Sequence, residues 1–258
     1  MGDLASHDIA LIRAENPGPF TLSGTNTWIL GRDPCWIVDP GPALDEHVAA
    51  VVAEAGRRGG AAGIALTHGH ADHSEAVPAL AAATGAPVAA MAYSGAAVRL
   101  ADGDAFGPLT AIATPGHAPD HLAFVAGTAC FTGDAVLGQG SVFVAPDPGA
   151  LRGYLAALER LRAFELDLLC PGHGPAVEDP QAKLGEYIAH RLDRERRLLE
   201  ALGDGLRGVD ELLARVWDDA PQALRPAAAV TLAAHLDKLA EEGRLPEGVE
   251  RPAGFGSA

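Results

Sequence analysis

The sequence predicts an α+β fold in which sheets and helices are stacked in layers, followed by a helical C-terminal region. Three observations carry this expectation. Short apolar runs bounded by Gly, Pro or Asp alternate with segments of helical period. Some of these runs lie close enough together to pair as hairpins, so sheet and helix must share one core. Beyond about Glu178 the strand pattern stops and long helical periods take over.

Taken in order, strands are expected over residues 28–30, 35–38, 64–66, 122–125, 129–132 and 166–170, with a further apolar stretch ending near Ala113. Helices are expected over 44–58, 74–84 and 151–162; the last carries Leu151, Leu155, Leu158 and Leu161 along one face. The C-terminal part gives helices over 181–202, 209–217 and about 227–242, then a Pro/Gly-containing hairpin at 244–251. Helix, turn, helix and hairpin from Val209 onward is the order of a winged helix. The division expected is a catalytic domain over 1–178 and a helical linker with a winged-helix-like domain over 179–258, whose last residues, 253–258, read as a frayed tail.

The chain has 258 residues, 48% hydrophobic and 21% charged, enough apolar surface for a large core. Its 19 Lys+Arg against 34 Asp+Glu leave a formal net charge of -15. That argues against a broad basic surface for nucleic acid, because phosphate binding needs clustered cations. Cys35, Cys130 and Cys170 are far apart and form no CxxC pair, so no disulfide framework and no disulfide-linked partner is expected. The N-terminus has no secretory pattern and no apolar run approaches membrane-spanning length, so a cytoplasmic protein without a membrane partner is expected. Nothing in the sequence fixes the oligomeric state.

Histidine is the informative residue. Of ten, six fall in three short clusters. The strand at 64–66 runs into Thr67-His68-Gly69-His70-Ala71-Asp72-His73, where alternation puts His68 and His70 on one side and Asp72 and His73 open the next helix. Three more ligand types each follow an apolar run and a glycine: His117 after Gly116, Asp134 after Gly133 and His173 after Gly172. A glycine there turns the following side chain toward the strand ends. Seven ligands are too many for one tetrahedral ion and suit two. Asp134 is placed between the ions, with His68, His70 and His117 on one and Asp72, His73 and His173 on the other. Two Zn²⁺ are expected from the imidazole-rich set, with manganese or iron as alternatives allowed by the carboxylates. A hydroxide held between the ions is the nucleophile, oriented by Asp72.

His68-x-His70-x-Asp72-His73 followed in order by His117, Asp134 and His173 resembles the metallo-β-lactamase superfamily. Within it the chain is most similar to the β-lactamase-like protein 2 group, through the segment from Asn16 to Thr27, Pro171-Gly172-His173-Gly174-Pro175, His190-Arg191, and Leu236-x-x-Leu239-x-x-Glu242-Gly243. The resemblance covers nearly the whole chain. It implies a four-layer αββα sandwich with a C-terminal winged-helix-like domain, and a hydrolase; members of that group include endoribonucleases acting on single-stranded RNA. Gly69 and Ala71 depart from the pattern by leaving no basic or aromatic side chain in the histidine motif.

Four residues are candidates for substrate contact: Asn26, His121, Ser141 in a Gly-rich loop, and Arg191 in the basic cluster with Arg194, Arg196 and Arg197. Each has a plain structural reading beside it: a hairpin hydrogen bond for Asn26, a neighbouring-loop bond for His121, a simple turn for Ser141, and pairing with Asp193, Glu195 and Glu200 for the arginines. The leading expectation is a dinuclear metal hydrolase cutting single-stranded RNA. The alternative keeps the metals and takes a small-molecule ester, as a thioesterase or lactonase of glyoxalase type. A third reading, a winged-helix nucleic-acid-binding regulator, is disfavoured by the scarcity of Arg, Lys, Asn and Gln on the expected recognition helix.

Overall fold

The computed structural model describes residues 3–252, and the expected frayed tail at 253–258 lies outside them. The first sheet is built from β1 (Ile9–Arg13), β2 (Asn26–Leu30), β3 (Cys35–Val38), β4 (Ala61–Ala65), β5 (Val88–Ala90) and β6 (Val98–Arg99), paired in that order. The first three are antiparallel and the rest are parallel. Helix α1 (Asp45–Arg57) makes the β3–β4 crossover, and α2 (Ala71–Ser74) with α3 (Val77–Thr84) makes the next. The second sheet contains β7 (Ala105–Phe106), β8 (Leu109–Ala113), β9 (Leu122–Ala126) and β10 (Ala129–Gly133) as an antiparallel meander. Helix α4 (Ala150–Arg162) then carries the chain to β11 (Leu168–Pro171), parallel to β10.

Alternating side chains divide among three cores, as the period of a strand requires. Trp28, Val38, Ala65, Phe124, Phe131 and Leu168 meet between the two sheets. Their neighbours Ile29, Ile37 and Ile64 face outward onto Val51 of α1 and Leu80 of α3. On the other side Val125, Cys130 and Leu169 face Tyr154, Leu158 and Leu161 of α4. The result is an αββα sandwich. Helix α5 (Pro180–Gly203) lies on this last layer through Leu184 and Tyr187, while its far end, Leu198 to Leu202, joins α6 (Val209–Val216) and α7 (Arg225–Glu241) in a separate C-terminal core.

Three expectations are corrected. The helix expected over 74–84 begins only at Val77 and is preceded by a separate short helix that closes at Ser74, because Pro78 has no N–H to continue a helical ladder and sits instead in the first turn of α3. Strands β1 and β5–β7 go unrecognised by the sequence reading; β5–β7 are two or three residues long, too short for a period to show. The hairpin expected over 244–251 has no ladder among the described residues. The chain turns at Gly248, and the Glu250 N–H donates to the Arg207 carbonyl at 2.9 Å, tying the return leg to the α5–α6 loop.

Candidate active site

Two parallel pairs of strands, β3–β4 in the first sheet and β10–β11 in the second, lead to the same site, and each strand delivers a polar side chain there: Asp39 after β3, the His68–His73 segment after β4, Asp134 after β10 and His173 after β11. His117 comes from the β8–β9 loop. Glycines make the approach possible in two different ways. Gly133 has φ +47, and a Cβ there would lie 2.5 Å from Thr67 Oγ1. Gly172 has an ordinary backbone, yet a Cβ would stand 2.5 Å from Asp134 Oδ1 and 2.6 Å from His73 Cε1. The first needs its backbone angle and the second needs empty space.

The structure brings all seven expected ligands together. His70 Nδ1 lies 3.0 Å from His68 Nε2 and 2.9 Å from His117 Nε2. His73 Nε2 lies 3.3 Å from His173 Nε2 and 3.4 Å from Asp72 Oδ2. Asp134 reaches His117 at 3.6 Å, His73 at 3.5 Å and His173 at 3.4 Å, so it touches both groups. Donor atoms of His68, His70 and His117, and those of Asp72, His73 and His173, each converge within 4.8 Å, the spacing of a metal-binding cluster.

Hydrogen bonds around the rim fix which ring nitrogens point inward. The Thr67 hydroxyl donates to Asp39 Oδ2 at 2.8 Å, so His68 Nδ1–H must donate to Thr67 Oγ1. His73 Nδ1–H donates to Asp39 Oδ2 at 2.9 Å, and His173 Nδ1–H to the Gly24 carbonyl at 3.4 Å. In each ring the remaining Nε2 faces the centre, the arrangement of a metal-ligating histidine held by a protein oxygen. Burial opposes charge on His73, but Asp134, Asp39 and Asp72 outweigh it and pull its pKa up to about 9; Asp134 and Asp72 likewise hold His173 at about 10. Desolvation pushes His117 down to about 4. The Asp72 and Asp134 side thus attracts positive charge, and the donor set fits divalent cations.

Asp39 escapes the sequence reading because, although it leaves a strand as the ligands do, no glycine precedes it; in Val38-Asp39-Pro40-Gly41 the glycine follows by two positions. Its Oδ1 accepts the Thr67 N–H at 2.8 Å. Two expected substrate contacts are corrected. His121 is sealed in the interior: its Nδ1 meets Thr114 Oγ1 at 2.7 Å and its Nε2 accepts the Asp134 N–H at 3.0 Å, so both nitrogens are used in fixing the Asp134 loop. Asn26 is equally buried, and its Nδ2 donates to the carbonyls of Pro171 at 3.0 Å and Gly174 at 2.8 Å, clamping the His173 loop. Neither lines the cavity beside the ligands.

Ser141 and Arg191 do line a cavity of about 550 Å³ that opens on His70, Asp72 and His117 and runs between the sandwich and the C-terminal helices. Phe20, Leu137 and Phe143 form one wall and Trp217, Leu224 and Ala228 the other. The basic cluster is largely self-neutralised. Arg194 makes a two-pronged pair with Asp219 at 2.7 Å, Arg196 pairs with Asp193 and Glu200, and Arg197 pairs with Asp218. Glu195 pairs with Lys238 and Arg244 instead of an arginine of its own helix.

Residues 96–173 match the family model of the metallo-beta-lactamase superfamily, and residues 209–248 match that of the beta-lactamase associated winged helix domain. A beta-lactamase-like protein 2 homolog of Caenorhabditis elegans is 32% identical over 269 residues, covering 92% of this chain and 86% of that protein. The chain belongs to the metallo-β-lactamase superfamily. It is a hydrolase of that fold, with a C-terminal winged-helix domain. An atrochrysone carboxyl ACP thioesterase of Aspergillus chevalieri is 35% identical over 237 residues, covering 83% of this chain and 74% of the relative. Among solved structures, a metallo-beta-lactamase family protein of Thermus thermophilus superposes with a TM-score of 0.74 at 24% identity, covering 91% of this chain and 94% of that one, which shows the shared fold. No helix among the described residues is long and apolar enough to cross a membrane, and the three cysteines are free and buried.

Proposed function

We propose that this chain is a dinuclear metal-dependent hydrolase of a small-molecule ester, a thioester foremost, with residues 1–178 as the catalytic domain and residues 179–258 roofing the substrate cavity. The observation that carries this reading is the apolar cavity beside the ligand cluster, joined to a basic cluster whose arginines are mostly paired with carboxylates. An acyl chain gains from such walls, whereas an RNA strand needs unpaired cations along its path. The thioesterase relative points the same way.

His68, His70 and His117 would hold one divalent cation and Asp72, His73 and His173 a second, with Asp134 within reach of both sets; zinc is the first candidate, and manganese or iron are the alternatives. When bound, such ions make water nucleophilic at neutral pH and polarise the attacked carbonyl. Asp72, about a third exposed and facing the cavity, accepts a proton of the attacking water in a hydrogen bond and so orients it. Asn26, Asp39 and His121 are positioning residues that hold His173, His73 and Asp134 at their loops. In the reaction the water oxygen bonds to the acyl carbon, the C–S bond breaks, and the proton leaves with the thiol, giving a carboxylic acid. The free thiols suit a reducing, cytoplasmic setting.

The test is thiol release from acyl thioesters by protein reconstituted with zinc, run beside single-stranded RNA and a His70→Ala control, with metal analysis expected to give two ions per chain. Metal-dependent RNA cleavage without thioester hydrolysis would overturn this reading.

A further inference from the structure

Arg191 is 1% exposed, and among the described residues no carboxylate pairs with it. Its neighbours on α5 differ: Arg194, Arg196 and Arg197 each have an acidic partner. The Arg191 guanidinium lies over the Tyr154 ring at 5.5 Å, and its Nη2 donates to the Val142 carbonyl and, at 3.5 Å, to Ser141 Oγ. Its Nε has no hydrogen-bond partner among the described residues. A full positive charge is therefore held in a low-dielectric place with neutral company only, which is costly unless an anion joins it. Beside it, His190 Nε2 accepts the Arg194 Nε–H at 3.2 Å, so His190 Nδ1 carries the proton, and that buried N–H is also without a partner. Both residues line the same cavity as the metal-ligand cluster.

We infer that Arg191, with His190 and Ser141 beside it, forms a subsite for a carboxylate carried by the substrate on the end remote from the scissile bond. The inference rests on the ester-hydrolase reading and narrows it to acyl groups bearing a second, anionic terminus. Charge selects a carboxylate. Of the other acids on the cavity wall, Asp219 pairs with Arg194 and Glu186 with Lys183, while Asp72 and Asp134 face the histidines of the ligand cluster, so one monoanion balances Arg191. The planar fork of a guanidinium matches the two oxygens of a carboxylate, and the Tyr154 ring, 5.5 Å away, packs beside it.

Binding is measured by titration calorimetry with 6-amino-6-oxohexanoate, whose amide resists hydrolysis, and with the uncharged hexanediamide of the same length. The wild-type protein is expected to bind the carboxylate at least tenfold more tightly. Arg191→Gln is expected to lose that preference and Arg191→Lys to keep part of it. Equal binding of the two probes by the wild type overturns the inference whether or not the variants fold, and so does a folded Arg191→Gln that keeps the preference. Because no turnover is involved, a protein that binds the acid selectively and cleaves no thioester retains the subsite and fails the hydrolase reading alone. For turnover, the preference for a glutaryl over a pentanoyl thioester of the same thiol, taken as the ratio of kcat/KM, is expected to fall at least tenfold in Arg191→Gln.

Discussion

Asp39 shows how much of a metal site can depend on a residue that is not itself among the inward-facing ligands. It adopts φ +53, a conformation asparagine also tolerates, so Asp39→Asn preserves the turn while changing the chemistry. One carboxylate oxygen, Oδ2, serves the Thr67 hydroxyl and His73 Nδ1 together. An amide cannot carry the negative charge that both bonds exploit, so His73 loses its strong orienting partner. The expected result is a folded protein with metal affinity down about 10- to 100-fold, read by competition with a chromogenic chelator. Gly172→Ala acts more bluntly. Its Cβ would contact Asp134 Oδ1 and His73 Cε1 well inside van der Waals distance, and both are held by the loops around them. Loss of most hydrolytic activity is expected, with the metal content falling below that of the wild type. An unchanged metal content and rate would show that the loops yield.

The elements that place the ligands were legible for a physical reason: β4, β10 and β11 are long enough in apolar residues to register, β10 and β11 lead through a glycine to Asp134 and His173, and β4 leads through Leu66-Thr67 to His68. What was not legible came from contacts without a sequence period. The Asn26 clamp joins residues about 145 positions apart, and His121 differs from His117 only in where its nitrogens find partners. The wing of the C-terminal unit read as a hairpin from its Pro and Gly, while in the fold its return leg bonds to the α5–α6 loop. Helix α7 carries a feature with a measurable consequence. His235 is buried against Trp217 with neither ring nitrogen bonded; burial first, and then the charges of Arg191 and Lys238, hold its pKa down to about 3. Above pH 6.5 both folded and unfolded chains keep this ring neutral. Below it the unfolded chain takes a proton that the folded chain refuses, so stability is lost as pH falls toward about 3, by up to about 1.4 kcal/mol per pH unit. His235→Leu removes that loss. Its urea midpoint is expected to fall less than that of the wild type between pH 6.5 and 4.5, and parallel midpoint curves would contradict the assignment.

At the scale of the whole molecule, α5 is the member common to both cores. Its first half packs Leu184 and Tyr187 on the layer of α4, and its second half buries Leu198 and Leu202 among α6 and α7. The cavity is closed by the same helix, so its shape depends on both units staying docked. A helix of 24 residues cannot lose one half without freeing backbone hydrogen bonds in the other, which couples the two cores through their shared element. Leu158→Ala, in the layer of α4, and Leu198→Ala, in the C-terminal core, each remove a fully buried side chain and are expected to cost about 2–5 kcal/mol. If α5 couples the units, either substitution shifts one cooperative urea transition, seen alike by helical circular dichroism and by tryptophan fluorescence. That comparison is informative because the tryptophans sit on both sides of the divide, with Trp28 in the sandwich and Trp217 in the C-terminal core. Leu198→Ala producing an early transition confined to the C-terminal signal would instead make the cavity roof an independent unit, able to detach while the metal site stays folded.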